Sequence, residues 1–246
     1  MHVTSDLYKT ILQTPGHEKE HRAFIAGVEQ KILKKSETKY SNLNMPPLVK
    51  GSLFVGSKPS VGGCVSRQID IMIKPKGTIP RMAEIKLETR LVLKDFVTGE
   101  ITSTSEWIPK GTFYIDTRQT DKVSGALIIH GYDAILKMEQ TYLPDGGVLG
   151  EWPKPMPEVA ADIAAKLGLT IDARTGLNAS YMVGLPVEYT MREVMGYIAA
   201  AHCGNWIITD AGELRLITLA CIPDESSYLV SEDGHAITFG GVRIIV

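Results

Sequence analysis

Apolar and charged residues alternate almost strictly over residues 83–94, which is the pattern of a strand buried on one side. Val92 alone places an apolar side chain on the charged face. The apolar face holds Ala83, Ile85, Leu87, Thr89, Leu91 and Leu93, and the charged face holds Glu84, Lys86, Glu88, Arg90 and Lys94. The pattern predicts a long, half-buried β-strand.

Further strands are expected on both sides of this one. Residues 65–73, 107–116 and 126–130 are strand-like, and Lys76-Gly77, Thr98-Gly99 and Ser124-Gly125 between them are typical of turns. Residues 21–33 read as two shorter strands around Ala26-Gly27, and the polar residues 34–47 read as a loop. Several strands at such short spacing favour a barrel or a sandwich over a parallel α/β sheet.

Helical periodicity is found at the start of the chain and again after the strands. A short amphipathic helix is predicted before residue 15, with Ser5 or Asp6 as its cap and Pro15-Gly16 at its end. Residues 132–140 also read as helical, and the Pro- and Gly-rich residues 144–157 after them suggest a domain boundary near residue 145.

Two stronger helices and a hairpin are predicted beyond that boundary. Residues 157–167 begin with proline and are followed by Gly168, which suits the two ends of a helix. In residues 190–202, Thr190 and Glu193 form a capping box, and Val194, Tyr197, Ile198 and Ala201 give an apolar face. Residues 205–210 and 213–219 flank Ala211-Gly212, which indicates a β-hairpin.

The end of the chain is also strand-like, over residues 236–239 and 242–246. Because an unpaired apolar strand at a terminus leaves an open edge, we expect the sequence to be part of a longer protein.

Composition and charge narrow the functional classes. The chain is 44% hydrophobic and 22% charged, which excludes disorder along its whole length. A net charge of −2 gives no reason to expect nucleic-acid binding. Cys64, Cys203 and Cys221 form no CxxC pair, so we expect free thiols in a reducing compartment. Neither a secretion signal nor an apolar run long enough for a membrane span occurs.

The sharpest enzyme-like pattern is an H-E-x-x-H match formed by His17, Glu18 and His21. On a helix these histidines would bind zinc while the glutamate activates water, which would make a zinc peptidase. The context argues against a metal site, because Pro15-Gly16 precedes the pattern, its neighbours are charged and the following residues read as strand. We therefore interpret the segment as a solvated polar turn.

Other candidates for chemistry are weaker still. The glycine-rich residues 56–63 lack a Gly-Lys-Ser/Thr sequence and precede a strand, so a flexible or close-packed loop is favoured over a phosphate-binding loop. His130 with Asp133, and His202 with Cys203, lack a third partner; the first reads as a strand-end polar pair, and His202 suits a helix C-terminus. The single tryptophans Trp107, Trp152 and Trp206 are expected to be core or interface anchors. We predict no catalytic, cofactor-binding or metal-binding residue.

Three long stretches resemble tail proteins encoded by prophages of Gram-positive bacteria, specifically the baseplate hub family that forms a ring at the tail tip. They are GSLFVGSKPSVGGCVSRQIDIMIKPKGTIPRMAEIKLETRLVL, SEWIPKGTFYIDTRQTDKVSGALIIHGYDAILKMEQ and TMREVMGYIAAAHCGNWIITDAGELRLI. The resemblance runs from about residue 20 to the end of the chain and carries no catalytic residue.

Pattern and resemblance together give an α+β, β-rich fold in four parts. These are an N-terminal helix or arm (residues 1–19), a β-barrel-like hub domain (20–145), a helix-containing α/β domain (146–204) and the start of a second β-barrel (205–246), which is expected to be truncated. The second barrel is implied by the resemblance, because hub proteins place it after the helical domain.

The resemblance further implies a structural role and a set of partners. Hub proteins typically form trimers whose barrels make a ring between the tail tube and a spike or fibre. We therefore expect a non-enzymatic protein that binds copies of itself, a tail-tube or distal tail protein and a spike or fibre protein. It would be assembled in the bacterial cytoplasm and end at the virion tail tip. The alternative is the N-terminal scaffold of a tail-associated peptidoglycan hydrolase with its catalytic domain beyond Val246.

Overall fold

A computed structural model describes residues 4–33, 48–50, 54–55, 58–143, 151–219, 238–239 and 242–243. Its α-helices are α1 (Asp6–Gln13), α2 (Met156–Lys166) and α3 (Met191–Ala201), and a 3-10 helix spans Ala134–Glu139. The N-terminal helix is confirmed, with the Ser5 hydroxyl accepting from the Tyr8 amide as its cap. The segment predicted over residues 132–140 is a 3-10 helix rather than an α-helix.

The strands, which dominate the described part of the chain, are mostly antiparallel. In chain order they are β1 (Glu18–Ile25), β2 (Val28–Ile32), β3 (Leu48–Lys50), β4 (Phe54–Val55), β5 (Lys58–Pro59), β6 (Gly63–Cys64), β7 (Gln68–Lys74), β8 (Glu84–Lys94), β9 (Ile101–Thr104), β10 (Ile108–Thr120), β11 (Leu127–Tyr132), β12 (Lys154–Pro155), β13 (Met182–Val183), β14 (Gly204–Ile208), β15 (Leu214–Thr218), β16 (Thr238–Phe239) and β17 (Val242–Arg243).

Six of these strands close into a barrel. Their order is β1-β2-β7-β11-β10-β8, and the barrel closes where β8 pairs with β1, from Ile85 opposite Ile25 to Val92 opposite Glu18. Strand β8 is the segment with the strict alternation, and its alternate residues are buried as that pattern requires. The predicted α+β, β-rich fold with a barrel-like domain is confirmed.

The two faces of the barrel wall differ as the alternation predicts. The interior is an apolar core formed mainly by β-branched and aromatic residues: Ala23, Ile25, Ile69, Ile71, Ile73, Ile79, Ala83, Ile85, Leu87, Phe113, Ile115, Leu127 and Ile129. On the exterior, Arg22 pairs with Glu88 at 2.6 Å and Arg90 pairs with Glu20 at 2.7 Å. The Trp107 ring lies between these two guanidinium groups, 4.2 Å from Arg22 and 4.6 Å from Arg90.

The turns of two barrel hairpins share the same hydrogen-bond pattern and backbone shape. The Asp95 carboxylate accepts from the Val97 and Thr98 amides, and the Asp121 carboxylate accepts from the Val123 and Ser124 amides. The fifth residue of each turn is a glycine with positive φ, which a turn of this shape requires. Since β8 and β10 are antiparallel, the β8–β9 turn and the β10–β11 turn lie at opposite ends of the barrel.

A second apolar core lies beside the barrel, in what we call the helical unit: residues 60–65, 134–143 and 151–219. Helices α2 and α3 pack in this core together with the 3-10 helix and the β14–β15 hairpin. The hairpin continues into a three-stranded sheet, because β6 pairs with β14 in parallel at Gly63 opposite Asn205 and Cys64 opposite Trp206. Trp206 is wholly buried, and its indole N–H donates to the Met195 carbonyl.

The strongest local predictions hold in this unit. The capping box is present, since the Glu193 amide donates to the Thr190 hydroxyl while the Glu193 carboxylate accepts from the Thr190 amide. The predicted hairpin forms, and it shares the core of α2 and α3, because its alternate residues Trp206, Ile208, Leu214 and Leu216 are apolar and buried. The predicted loop over residues 34–47 and most of the region predicted to start a second barrel lie outside the described residues. The four domain bounds therefore stay predictions.

Candidate functional site

Arg67 ties the barrel to the helical unit. Its guanidinium donates to the Lys110 carbonyl of β10 at 3.3 Å and to the Thr209 carbonyl of the β14–β15 turn at 3.1 Å. It also pairs with the Asp210 carboxylate at 2.5 Å and lies 5.4 Å from the centre of the Phe113 ring. A planar guanidinium with several donors can join separate acceptors at once, so this one side chain links the two units.

Asp133 completes this junction from the end of β11. Its side chain is fully buried and accepts from the Ser66 hydroxyl, the Arg67 amide and the Ile135 amide, the last of which caps the 3-10 helix. Burial raises the pKa of the Asp133 carboxyl, against the lowering effect of these hydrogen bonds and of the Arg67 charge. The junction is thus a polar network between two apolar cores, in which the Arg67 Nε lies 3.7 Å from the Asp133 carboxylate and makes no hydrogen bond.

An open groove of about 1010 Å³ runs along α3 beside this junction. Its floor is the segment of residues 60–66, which approaches α3 so closely that a Cβ on Gly196 would lie 2.9 Å from the Gly62 carbonyl oxygen. On its wall, Arg192 donates to the Cys64 carbonyl at 3.1 Å and pairs with the Glu139 carboxylate. The groove is therefore lined by mixed polar and apolar groups.

Cys64 lies at the groove but is not an activated nucleophile. Its thiol is buried and donates to the Arg192 carbonyl at 3.7 Å. Burial raises the pKa of the Cys64 thiol to about 12, so the sulfur stays protonated at neutral pH.

A patch of exposed aromatic and apolar side chains lies on the same side of α3. Its members, which we call the tyrosine patch, are Tyr181, Met182, Tyr189 and Tyr197. Tyr189 and Tyr197 meet edge to face at 5.7 Å, and beside them opens a pocket of about 250 Å³ lined also by Met156, Val183, Val194 and Ile198. Tyrosine and methionine with an apolar pocket are typical of the centre of a protein–protein interface.

Sequence patterns alone did not identify this patch. Helical spacing placed Tyr197 on the buried face of residues 190–202, yet its side chain is 61% exposed. The face that α3 buries instead contains Val194, Met195, Ile198 and Ala199. Tyr181 and Met182 belong to the segment between α2 and α3, where the two-residue strand β13 is too short for a periodicity that could indicate which side chains are exposed.

Glu18 and His21 of the H-E-x-x-H pattern lie on strand β1 and His17 directly precedes it, so the interpretation of the segment as a solvated polar turn is corrected. The segment is extended because it pairs with β8 to close the barrel, where His21 lies opposite Thr89. His17 hydrogen-bonds the Thr14 carbonyl, His21 hydrogen-bonds the Thr89 hydroxyl, and Glu18 pairs with Lys94. Each of the three side chains therefore has a separate neighbour. In the described ranges, no three His, Cys, Asp or Glu side chains lie close enough together to hold a metal ion.

The other candidate pairs are also placed apart. His130 bonds Asp70 across β7 and β11 at 2.6 Å, whereas Asp133 belongs to the Arg67 junction. His202 is the C-cap of α3, as predicted, and bonds the Ile198 carbonyl and the Asn178 amide. The described end of the glycine-rich segment, residues 60–63, packs closely against α3 and Asn205.

The three tryptophans occupy three different surroundings. Trp206 lies in the core of the helical unit, Trp152 is partly buried against the same core, and Trp107 stacks on the barrel exterior.

No helix in the described part of the chain is long and apolar enough to cross a lipid bilayer.

Comparison with known proteins finds likeness in structure and not in sequence. No protein-family model matches the chain, and no curated protein is similar to it in sequence.

Solved structures with a similar fold include two bacterial tail proteins, one of them from a prophage. The 43 kDa tail protein of prophage MuSo2 from Shewanella oneidensis matches with a TM-score of 0.52 and 11% identity, over 87% of this chain and 59% of that one. A tail protein from Neisseria meningitidis matches with a TM-score of 0.50 and 14% identity, over 80% of this chain and 50% of that one. The chain thus spans between half and three fifths of the length of these proteins. The barrel and the helical unit together therefore have a fold similar to that of these two tail proteins.

Proposed function

We propose that the chain is a structural, non-enzymatic component of a phage-type tail, in which it forms a hub or baseplate ring joining the tail tube to a spike or fibres. The observation that carries this proposal is the shared fold, which extends over 87% of the chain and so includes the helical unit as well as the barrel. A match confined to the barrel would give weaker support for this function, since small barrels occur in proteins of many functions.

Two features of the described structure suit a scaffold. Arg67 and Asp133 link the helical unit to the barrel, which a ring subunit needs if its contacts are to repeat identically. The tyrosine patch offers an apolar surface for a neighbouring protein. The proposed partners are further copies of the chain, a tail-tube or distal tail protein and a spike or fibre protein. The proposed location is the bacterial cytoplasm during assembly and then the tail tip.

The proposal is tested in the strain that encodes the chain. Tail particles are purified after prophage induction, their proteins are identified by mass spectrometry, and the chain is located by immunogold electron microscopy. We expect a fixed stoichiometry and labelling at the tail tip, and we expect a deletion strain to lack complete tails. Complete particles without the chain would overturn the proposal. A zymogram on peptidoglycan, with the particle protein that contains the chain, separates a pure scaffold from one fused to a hydrolase.

A further inference from the structure

The barrel end that carries the β10–β11 turn is strongly basic. The register places this turn beside the β1–β2 turn, the end of β7 and the start of β8, since Ile73 lies opposite Leu127 and Leu127 opposite Thr120. Residues 26–31, 74–82 and 116–125 form this basic end. Its exposed cations are Lys31, Lys74, Lys76, Arg81, Arg118 and Lys122, against the exposed carboxylates Glu29 and Asp116 and the buried carboxylate of Asp121. In a chain of net charge −2, this is a marked segregation of positive charge.

Apolar side chains project among these cations. Val123 at the tip of the β10–β11 turn is 78% exposed, and Met82 and Val28 are also exposed. The tip does not depend on a partner for its shape, because the Asp121 carboxylate holds the Val123 and Ser124 amides. The preformed apolar tip with its charged rim is suited to bind a protein surface. A polyanion is a poorer partner, because it offers no apolar group for the valine to contact.

The pocket beside the tyrosine patch has complementary properties. At about 250 Å³ it exceeds the apolar cavity of roughly 150 Å³ that is known to hold benzene, so it has room for a valine side chain. The ionised groups around it leave an excess of negative charge. Lys154 pairs with Glu158 and Arg192 pairs with Glu139, whereas Glu188 is exposed next to Tyr189. The Glu193 carboxylate, held by the Thr190 amide, has a lowered pKa and is ionised.

The tip and the pocket of one chain cannot meet. Barrel and helical unit touch at the level of Lys110 and Tyr114, where Arg67 and Lys137 contact β10. From Tyr114 to Thr120 the strand runs on for about 20 Å at ~3.3 Å per residue, away from the helical unit. A contact between Val123 and the pocket must therefore join two chains.

The turn at the other end of the barrel makes a worse match for this pocket. Phe96 and Val97 at its tip are exposed. Asp95 in this turn corresponds to Asp121 in the other, but here Phe96 stands in place of Lys122 and the exposed Glu100 follows the turn. Like charges would face Glu188 and Glu193 across the contact, whereas Lys122 beside Val123 brings the opposite sign.

We propose that the basic end of the barrel docks head to tail on a second copy of this chain, with Val123 in the pocket beside the tyrosine patch and Lys122 against Glu188 and Glu193. Such a contact uses two different surfaces, so it repeats from subunit to subunit and closes into a ring where the rotation allows. The inference rests on the proposed ring function and names the surfaces that build the ring.

Sedimentation of the 246-residue chain tests the contact. We expect self-association at concentrations up to about 100 µM that weakens with added salt, since the contact pairs opposite charges. Val123→Asp should raise the dissociation constant about 30-fold or more, as loss of an anchor residue does. Val97→Asp is the matched control, because it alters the same position of the same turn design, and it should leave association unchanged. A wild-type chain that stays monomeric, or equal effects of both variants, would overturn the proposal.

Disulfide trapping tests the pairing directly. The background for this test has serine at Cys203 and Cys221. Val123→Cys chains, Met182→Cys chains and an equimolar mixture of the two are each oxidised as a separate sample. A cross-linked dimer should form in the mixture and be at least tenfold weaker in either variant alone, since a head-to-tail contact brings the tip of one copy to the pocket of another. A mixture with Val97→Cys in place of Val123→Cys should give no such excess, and an equal yield would contradict the pairing. A chain that is present in tail particles but fails both tests refutes this contact and leaves the tail function standing.

Discussion

The Arg67 guanidinium lies 3.7 Å from the Asp133 carboxylate, Nε to Oδ2, where the barrel meets the helical unit. The two groups are related in a second way, because the same carboxylate accepts from the Arg67 backbone amide at 2.9 Å. Asp133 thus holds both the backbone and the side chain of the residue that reaches across to Asp210. This pair of a partly buried guanidinium and a buried carboxylate joins the two units where they meet.

Asp133→Ala should lower the free energy of unfolding by about 3 kcal/mol, because it leaves the Arg67 charge without its buried partner and removes the cap of the 3-10 helix. Urea denaturation followed by circular dichroism measures the loss. Asp116→Ala, at an exposed position of β10, should change stability by no more than about 0.5 kcal/mol. Equal losses in the two variants would show that the junction contributes nothing beyond an ordinary surface carboxylate.

Gly111→Ala should also weaken the junction, through steric overlap. Gly111 has φ +121°, and a Cβ there would lie 2.6 Å from an Arg67 guanidinium nitrogen. We expect a loss of roughly 2 to 4 kcal/mol from strain and displacement of Arg67 together. At Gly125, φ is +67° but nothing lies within 4 Å of the added Cβ, so Gly125→Ala isolates the backbone strain at about 1 kcal/mol. The difference between the stability losses of the two variants measures the free energy lost when Arg67 is displaced. Equal losses would show that the added Cβ does not disturb Arg67.

The parts of the fold that sequence could predict are those with a local signal. The alternation over residues 83–94 predicts β8 because successive side chains of a strand point to opposite faces, one of them buried and the other exposed. Thr190 and Glu193 predict the start of α3 because a capping box needs only residues three apart.

The candidate site depends on distant residues and could not be predicted in this way. Arg67 and Asp210 are 143 positions apart, and neither carries a local pattern that indicates the other. Tyr197 has the spacing of a core residue, and its exposure follows from which face of α3 the β14–β15 hairpin covers. The H-E-x-x-H segment is extended since pairing with β8 outweighs local preference.

The pH dependence of stability should report on His21 inside the barrel wall. Burial, and then the charges of Lys19 and Lys110, lower the pKa of His21 to about 4 from its ordinary value of 6.5. Between these two values the unfolded chain binds more protons than the folded one, so stability should fall as the pH is lowered from 6.5 towards 4. The loss attributable to His21 is on the order of 2 kcal/mol after allowance for partial exposure of the ring.

His21→Gln separates this effect from other acid-sensitive groups. Glutamine can keep a hydrogen bond to the Thr89 hydroxyl and cannot be protonated, so its stability should decline less between pH 6.5 and 4 than that of the wild type. His17→Gln, which removes the other histidine of the pattern, serves as the control and should retain the wild-type decline. Chemical denaturation at half-unit pH steps gives the three curves. A His21→Gln curve parallel to the wild type would mean that the ring gains no proton in this range.

The two described cysteines should differ sharply in reactivity. Cys203 is exposed just beyond α3, whereas Cys64 is buried and its pKa is raised to about 12, so little thiolate exists at neutral pH. Iodoacetamide at pH 7.5 should label Cys203 in the folded protein at least about 100-fold faster than Cys64, as peptide mass spectrometry can resolve. In denaturant the two rates should converge, since both thiols then have the same surroundings. Rapid labelling of Cys64 in the folded state would show that the segment of residues 60–66 opens readily from α3, which the close approach of Gly62 to Gly196 argues against.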